Sequence, residues 1–215
     1  MISQPKSSIQ EEPITLPEPE FMKIILASSS PYRKSLLKRI DLPFECHSPD
    51  IDETPHSGES AQALTMRLSR QKAERLKQAY PEHLIIASDQ SAQLSKTLLG
   101  KPGSEQKAIE QLMSCSGQSV TFYTGLCLLN TQTNNCQVDT VTYTVHFRHL
   151  SQQEIENYIR KEKPLDCAGS FKCEGLGISL FSKMEGDDPN SLIGLPLIKL
   201  TNMLIKEGIN PLLTN

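Results

Sequence analysis

The stretch Lys23-Ile-Ile-Leu-Ala-Ser-Ser-Ser-Pro-Tyr-Arg33 decides the fold, because an apolar run passes through three serines directly into the start of a helix. Residues 23–27 are typical of a short strand that is buried on both faces. Ser30 is a good N-cap and Pro31 suits the first helical position, so a helix is predicted from here to about Arg39. The stretch therefore predicts a strand followed at once by a helix.

Strands and helices continue to alternate along the rest of the chain. The hydrophobic pattern predicts, in order, a helix over about 60–80, a strand over 83–88, a helix after Pro102, a half-buried strand over 141–148, a helix that opens with the capping box Ser151-Gln-Gln-Glu154, and a last helix over about 196–208. This interleaving predicts an α/β protein, with a mixed α+β arrangement as the alternative.

Composition limits the partners of the protein. The chain has 215 residues and a net charge of −3, which gives no general reason to bind nucleic acid or an anionic membrane. No apolar run approaches the ~20 residues of a membrane span. Six scattered cysteines without a C-x-x-C motif favour reduced thiols. We therefore expect a cytoplasmic protein with no nucleic-acid or membrane partner.

The first 21 residues differ from the rest of the chain. They are rich in proline and charge and contain few large apolar side chains, so they bury too little surface to offset the entropy of ordering. We expect a disordered N-terminal extension over 1–21 and a single domain over 22–215.

The serine-rich turn is the first candidate site. Its backbone N–H groups and hydroxyls stand at the positive end of the predicted helix, which suits an anion. Arg33 and Lys34 add positive charge in the first turn, where the helix dipole disfavours it unless an anion is bound there. The alternative is an ordinary capped turn with solvated bases.

Asp89 and Lys72 are the next candidates. Asp89 directly follows the predicted strand over 83–88, where a carboxylate can hold a divalent cation or act as a general base, although aspartate also forms turns. Lys72 lies near the middle of the helix face that carries Leu64, Leu68 and Leu76. A lysine on a buried face must either extend its ammonium group to solvent or meet an anion.

Other motifs are weaker. Gly100-Lys101-Pro102 resembles a phosphate-binding turn but fails as a Walker A motif, and Gly175-Leu-Gly177 fails the dinucleotide fingerprint. The acidic cluster around Glu53 is either a solvated turn or an aid to metal binding. Together the residues favour a phosphate-rich ligand with a divalent metal.

The ordered set of short motifs resembles the Maf family. The matching segments are Ile25-Leu-Ala-Ser-Ser-Ser-Pro-Tyr-Arg33, Asp52-Glu53, Ser69-Arg-Gln-Lys-Ala73, Ser88-Asp-Gln90, Gly100-Lys-Pro102, Tyr123-Thr-Gly125 and Ala168-Gly-Ser-Phe-Lys-Cys-Glu-Gly175. The resemblance implies a nucleoside triphosphate pyrophosphatase that requires Mg²⁺ or Mn²⁺. It also implies an elongated Maf/ITPase-like fold with a central mixed sheet and an active-site cleft, and formation of a homodimer.

The resemblance also assigns roles to residues. Asp89 would accept the proton of the attacking water and bind metal together with Glu53. The triphosphate would be held by Ser28, Arg33, Lys72 and Lys101. Lys34 stands where the family usually has a second arginine, and lysine lacks the bidentate fork of arginine.

Three further positions bear on the choice of base. The residues at these positions, Tyr32, Gln90 and Glu174, resemble those of the family branch that acts on 7-methyl-GTP. The base of this nucleotide is cationic, which suits an aromatic face and a carboxylate. This implies a house-cleaning role that keeps modified nucleotides out of nucleic acids. The alternatives are a pyrophosphatase for dTTP, UTP or a broad set of modified nucleotides, and a nucleotide-binding regulator of septum formation.

Overall fold

The computed structural model of the protein describes residues 22–213. The extension expected to be disordered, over 1–21, lies outside the described residues, as do residues 214 and 215. The prediction for this extension therefore stays a prediction.

A single mixed sheet forms the centre of the described chain. Its strands are β1 (Lys23–Ala27), β2 (Phe44–His47), β3 (His83–Leu94), β4 (Thr97–Leu99), β5 (Ser119–Asn130), β6 (Cys136–Phe147) and β7 (Phe181–Glu185). The order is β2-β1-β3-β5-β6-β7, with β4 paired to β3. β1 runs parallel to β2 and β3, and the other pairs are antiparallel. The α/β class and the central mixed sheet are confirmed.

Helices cover the sheet. They are α1 (Pro31–Leu37), α2 (Ala61–Leu76), α3 (Glu105–Cys115), α4 (Gln152–Glu162), α5 (Pro189–Ile193) and α6 (Leu197–Lys206), with short 3₁₀ segments at Lys38–Ile40, Ala168–Ser170 and Leu176–Leu180. The predicted cap at Ser30 and the predicted capping box at Ser151 and Glu154 are both present. Between residues 22 and 213, no helix combines the length and the apolar character that crossing a membrane requires.

The core lies on both faces of β1, as its apolar run predicts. Ile24 and Leu26 pack in one cluster with side chains of α1 and α6. Ile25 and Ala27 pack in another cluster with Ala73 of α2. Because successive residues of a strand point to opposite faces, the uninterrupted apolar run serves both clusters.

Three predicted boundaries were wrong. The helix expected over 60–80 ends at Leu76, because residues 77–80 form turns before a proline. The strand expected to end at residue 88 continues to Leu94, since β5 pairs with it from Leu84 to Leu94. The strand expected to start at residue 141 begins at Cys136 for the same reason, because the 12-residue strand β5 also pairs with β6.

Asp89 therefore lies inside a strand and does not follow its end. It still stands beyond the parallel part of the sheet, because the pairing of β1 with β3 ends at Leu26 and Ile86. The expected edge is thus the end of β1. β3 extends past this end, and the buried Asp89 borders the space that lies beyond β1.

Gly125 allows α2 to pack closely against the sheet at this point. It is the register partner of Asp89 on the neighbouring strand β5. A Cβ atom at Gly125 would overlap the backbone carbonyl oxygen of Thr65 in α2. The missing side chain therefore sets the distance between the sheet and the helix that carries Lys72.

We predict that Gly125→Ala lowers the free energy of unfolding by about 1–3 kcal/mol, because overpacking forces α2 away from β5. Urea denaturation measures this change. Gly100→Ala is the control, since nothing lies within 4 Å of a Cβ atom at Gly100. An equal loss of stability in both variants would contradict the close-packing role of Gly125.

Candidate active site

The predicted site residues converge on one cavity of about 510 Å³, a volume in the range of small-molecule sites. It opens where β1 ends, between the start of α1, the middle of β3, the loop after β2 and the segment before β7. The nine predicted residues that line it are Ser28, Tyr32, Arg33, Glu53, Lys72, Asp89, Gln90, Lys101 and Glu174. Their individual roles stay predictions, but their proximity is a finding.

A buried ammonium group joins two carboxylates at the centre of the cavity. Lys72 is 5% exposed and Asp89 is 6% exposed. The Nζ atom of Lys72 lies 2.7 Å from Oδ1 of Asp89 and 2.6 Å from Oε1 of Glu53. Of the two outcomes left open by the sequence, Lys72 thus meets anions and does not extend to solvent. Burial raises the pKa of Glu53, but the hydrogen bond and charge of Lys72 outweigh it and leave this pKa below its usual value.

The serine turn connects β1 to α1 through side-chain caps. The Ser28 hydroxyl accepts a hydrogen bond from the N–H of Ser30 at 3.1 Å, and the Ser30 hydroxyl accepts one from the N–H of Arg33 at 3.4 Å. Arg33 in turn donates from Nε to the carbonyl oxygen of Gly194 at 2.9 Å. This contact fixes the guanidinium plane and leaves its two terminal nitrogens available to the cavity, where they can bind phosphate oxygens.

Lys101 is the third basic side chain that lines the cavity, after Arg33 and Lys72. It is exposed, and its charge contributes to the low pKa of Glu53. Burial lowers the pKa of Arg33, while the charges of Asp89 and Glu53 oppose this effect. Arginine nevertheless stays protonated in proteins. Arg33 therefore adds to the two lysines Lys72 and Lys101, which gives three cationic side chains for a phosphate-rich ligand.

The amide of Gln90 has one defined orientation. Its Nε2 atom donates to the carbonyl oxygens of Ser191 at 2.8 Å and Leu192 at 3.0 Å, and contacts Oγ1 of Thr124 at 3.2 Å. Carbonyl oxygens only accept hydrogen bonds, so the amide nitrogen must face them. Oε1 of Gln90 is left without a partner in the chain from residue 22 to residue 213, and can accept a hydrogen bond from a ligand.

Tyr32 and Glu174 line the same cavity as Gln90, and the charge of Glu174 acts on Tyr32. Burial raises the pKa of the half-buried Tyr32, so its phenol stays neutral. Glu174 is exposed, and within residues 22–213 its carboxylate accepts only one weak hydrogen bond, from Sγ of Cys173 to Oε2 at 3.5 Å. These residues therefore offer a ligand the aromatic ring of Tyr32 together with hydrogen-bond acceptors from Gln90 and Glu174.

The donor set suits a divalent cation that arrives with a phosphate ligand. Among residues 22–213, no group of three or more His, Cys, Asp or Glu side chains could hold a metal ion by itself. Asp89 and Glu53 each use one oxygen on Lys72, and the second oxygen of each carboxylate has no partner in that part of the chain. Mg²⁺ is usually held by one or two carboxylates and substrate phosphates, so these residues fit the expected metal.

Sequence reasoning missed the groups that hold the site residues in place. Gly194 accepts hydrogen bonds from both Arg33 Nε and Ser88 Oγ, each at 2.9 Å. Its φ of 120° lies where only glycine is comfortable. The sequence offers one local signal for this position, a glycine that follows a short helical pattern. It cannot indicate the partners of Gly194, because they lie more than 100 residues away in the chain.

A second missed feature is the ion pair between Arg67 and Glu59, which fastens the loop of Glu53 to α2. Arg67 donates from Nε and a terminal nitrogen to both oxygens of Glu59 at 2.7 Å, and to the carbonyl oxygen of Thr54 at 3.1 Å. The hydrogen bonds from Arg67 lower the pKa of Glu59 to about 2. The loop is thereby closed on the helix that carries Lys72.

Comparison with known proteins gives one family and two similar sequences. The model of the family described as Maf-like protein matches residues 23–207. A protein of Pseudomonas aeruginosa named 7-methyl-GTP pyrophosphatase is 58% identical over 186 residues, which cover 86% of this chain and 97% of that protein. A protein of the same name from Pseudomonas syringae pv. tomato is 58% identical over 187 residues, covering 87% of this chain and 97% of that protein.

Two solved structures are also similar. The HAM1 protein from Coxiella burnetii has a TM-score of 0.48 and 14% identity, covering 86% of this chain and 100% of that chain. The Ham1 protein of Staphylococcus aureus has a TM-score of 0.45 and 14% identity, covering 87% of this chain and 100% of that chain.

We predict that Glu59→Gln lowers stability at neutral pH and that this effect disappears in acid. The pKa of Glu59 is about 2 in the folded protein, below the ~4.3 of an unperturbed glutamate. Its contribution is therefore fully present above ~4.3 and is lost as the pH falls through about 2. Urea midpoints of variant and wild type, measured between neutral pH and pH ~2.5, should come steadily closer as the pH falls, and would meet only below the folded pKa of about 2.

Glu74→Gln is the control for this experiment, because it removes the exposed pair of Arg70 and Glu74 on the same helix. Exposed pairs contribute little, so we expect a smaller change. A difference between wild type and Glu59→Gln that stays constant with pH would contradict the assigned ion pair.

Proposed function

This chain belongs to the Maf-like protein family, and from that premise we propose that it is a pyrophosphatase that hydrolyses 7-methyl-GTP to 7-methyl-GMP and pyrophosphate. The names of the two Pseudomonas relatives support the substrate. The observation that carries the proposal is the contact of the buried Lys72 with Asp89 and Glu53. In the same cavity, we call the part formed by Arg33, Lys72 and Lys101 the cationic end, and the part formed by Tyr32, Gln90 and Glu174 the aromatic end. The cellular role would be to keep a modified nucleotide out of nucleic acids.

The triphosphate would occupy the cationic end. Arg33, Lys72 and Lys101 line that end, and Ser28 adds a hydroxyl at the start of the turn. Charge-assisted hydrogen bonds from these groups orient the chain of phosphates and stabilise negative charge on the leaving pyrophosphate. Their stabilisation grows as the bond between the α- and β-phosphates breaks.

Asp89 would act as the general base. Lys72 holds Oδ1 of Asp89 at 2.7 Å and leaves Oδ2 to accept a proton. The oxygen of a water molecule attacks the α-phosphorus, Asp89 takes its proton, and pyrophosphate leaves with the bridging oxygen. The products are a nucleoside monophosphate and pyrophosphate.

Glu53 would hold the divalent cation, Mg²⁺ or Mn²⁺, through its free oxygen, together with the carboxylate of Asp89. When bound, the cation supplies positive charge for the phosphate oxygens. The role of the protein chain is then to place these two carboxylates with Lys72 and to keep the site closed by the contact of Arg67 with Glu59.

The base would lie at the aromatic end. The ring of Tyr32 can stack on the cationic 7-methylguanine, which is worth ~0.5–2 kcal/mol. Oε1 of Gln90 and the carboxylate of Glu174 accept hydrogen bonds, which suits the N1–H and N2–H groups on one edge of guanine. Thymine and uracil present carbonyl oxygens on both sides of their single N–H group, so these acceptors disfavour them.

We predict that the protein releases pyrophosphate from 7-methyl-GTP in preference to GTP, dTTP and UTP, and that Asp89→Asn lowers kcat by roughly 10²–10⁴-fold. Asparagine keeps the shape of the side chain but accepts no proton. The measurement is pyrophosphate release from each nucleotide with Mg²⁺ or Mn²⁺. Omission of the cation should abolish release from wild type.

Each other outcome has a defined meaning. A preference for dTTP or UTP would retain the pyrophosphatase and overturn the proposed substrate. Absence of turnover on all four nucleotides, with nucleotide binding retained, would support a binding protein such as the regulator of septum formation. Full activity of Asp89→Asn would remove Asp89 from the mechanism.

We predict that the double variant Tyr32→Arg with Glu174→Gln loses about tenfold in its preference for 7-methyl-GTP over dTTP, since it loses the stacking ring and the carboxylate. The ratio of the two kcat/KM values measures this. Lys34→Arg is the control, because this exposed first-turn residue does not line the cavity. An unchanged ratio in the double variant would show that other residues select the base.

A further inference from the structure

The loop that carries Glu174 is fastened to the end of α4. The phenol oxygen of Tyr158 accepts a hydrogen bond from the backbone N–H of Lys172 at 3.0 Å. The carboxylate oxygen Oε1 of Glu162 accepts one from the N–H of Leu176 at 2.8 Å. Glu174 lies midway between these two anchored amides, so both ends of its short loop are fixed by one turn of helix.

The loop itself is tightly wound. The carbonyl oxygen of Lys172 accepts hydrogen bonds from the N–H groups of Gly175 at 3.3 Å and Gly177 at 3.1 Å. A Cβ atom at Gly177 would overlap that carbonyl, and one at Gly175 would lie 2.9 Å from Oε1 of Glu162. Glycine is therefore needed at position 177 for the loop to close on itself, and Gly175 packs directly against the Glu162 carboxylate. Little freedom is left for the backbone of Glu174.

The end of α4 is also connected to Tyr32, through the side chain of Lys172. The Nζ atom of Lys172 donates to the backbone carbonyl of Glu162 at 3.2 Å. Burial lowers the pKa of Lys172, but interactions with Tyr32, Cys167 and Asp166 outweigh it and raise this pKa. Lys172 thus stands between the end of α4 and the phenol of Tyr32.

Tyr158 provides a rigid base for these contacts. It is 3% exposed and belongs to the same core cluster as Ile155, Ile159 and Phe171. Its hydroxyl is the one polar atom of the ring and is used on Lys172. Neither Tyr158 nor Glu162 lines the cavity, so any effect on the base must pass through the loop.

We propose that Tyr158 and Glu162 are positioning residues for base selection, because they fix the loop over 172–176 and thereby place Glu174 in the cavity and Lys172 beside Tyr32. This inference rests on the proposed function. It adds two residues from outside the cavity and assigns the end of α4 to substrate choice. The cationic end, with Lys72 and Asp89, is held by other elements and is left unchanged.

The experiment compares Glu162→Ala and Glu162→Gln. Alanine removes the acceptor for the Leu176 amide, whereas glutamine keeps an oxygen at that place. We expect Glu162→Ala to lower the ratio of kcat/KM for 7-methyl-GTP to that for dTTP by about tenfold, mainly through KM for 7-methyl-GTP. We expect Glu162→Gln to stay within about twofold of wild type.

Tyr158→Phe is an independent second variant, since it removes only the hydroxyl that accepts from Lys172. It should lower the same ratio. Glu156→Ala is the control, because Glu156 lies half-buried on the same helix and, within residues 22–213, its side chain hydrogen-bonds only to Gln152. Hydrogen exchange at the Leu176 amide reports the loop directly, and should accelerate in Glu162→Ala and stay slow in Glu162→Gln.

The outcomes separate this inference from the proposed function. If wild type prefers another nucleotide, the proposed substrate fails, and the positioning role is tested on the ratio for the nucleotide it does prefer. If Leu176 exchanges faster in Glu162→Ala while the ratio stays at its wild-type value, the positioning role is overturned. An equal fall in kcat/KM on all nucleotides would reduce Glu162 to a structural residue. If Glu162→Ala does not fold, Tyr158→Phe and Glu162→Gln decide by the same ratio.

Discussion

A buried ammonium group is the constraint on which the rest of the structure depends. Lys72 stands on the apolar face of α2, and an unpaired charge in such a place is costly. Two carboxylates must therefore approach it, one from β3 and one from the loop after β2. The approach requires α2 to lie close to the sheet, which Gly125 permits, and the loop to be closed, which Arg67 and Glu59 achieve. Four separate parts of the chain, α2, β3, β5 and the loop after β2, thus satisfy one charge.

The change of partner along β3 explains why this happens in a cavity. The strand pairs with β1 only as far as Ile86. It continues to Leu94, paired along its other edge with β5 and, from Ala92 onward, also with β4. The space left beyond β1 becomes the cavity. Asp89 and Gln90 are successive residues there, so one faces α2 and the other faces α5. A single strand therefore serves both the cationic end and the aromatic end, and fixes the distance between them.

Local patterns allowed much of this to be predicted from the sequence. The cap at Ser30, the buried faces of β1 and the position of Lys72 follow from spacings within a few residues. The convergence of distant motifs on one cavity was expected only from the resemblance to a family, and no spacing implied it. The contacts of Gly194, Thr124 and Arg67 were missed because their partners lie elsewhere in the chain or in an irregular loop. Asp89 was wrongly predicted to follow the end of a strand. The reason is that the residues of β5 that pair with this part of β3 lie more than thirty residues away, so no local pattern indicates the pairing.

Charge balance explains why the expected metal suits this site although the chain lacks a metal cage. Near Asp89, three cationic side chains face two carboxylates, and Lys72 is already shared between those carboxylates. The surplus of positive charge is smaller than the several negative charges of a triphosphate. A divalent cation that enters with the nucleotide would correct this, and the free oxygens of Asp89 and Glu53 offer it the ligands that Mg²⁺ prefers. Without a nucleotide, Lys72 together with Arg33 and Lys101 balances the same carboxylates. The buried lysine and the expected cation would therefore be complementary, because the lysine stabilises the carboxylates in the protein and the cation would balance the charge of a bound triphosphate.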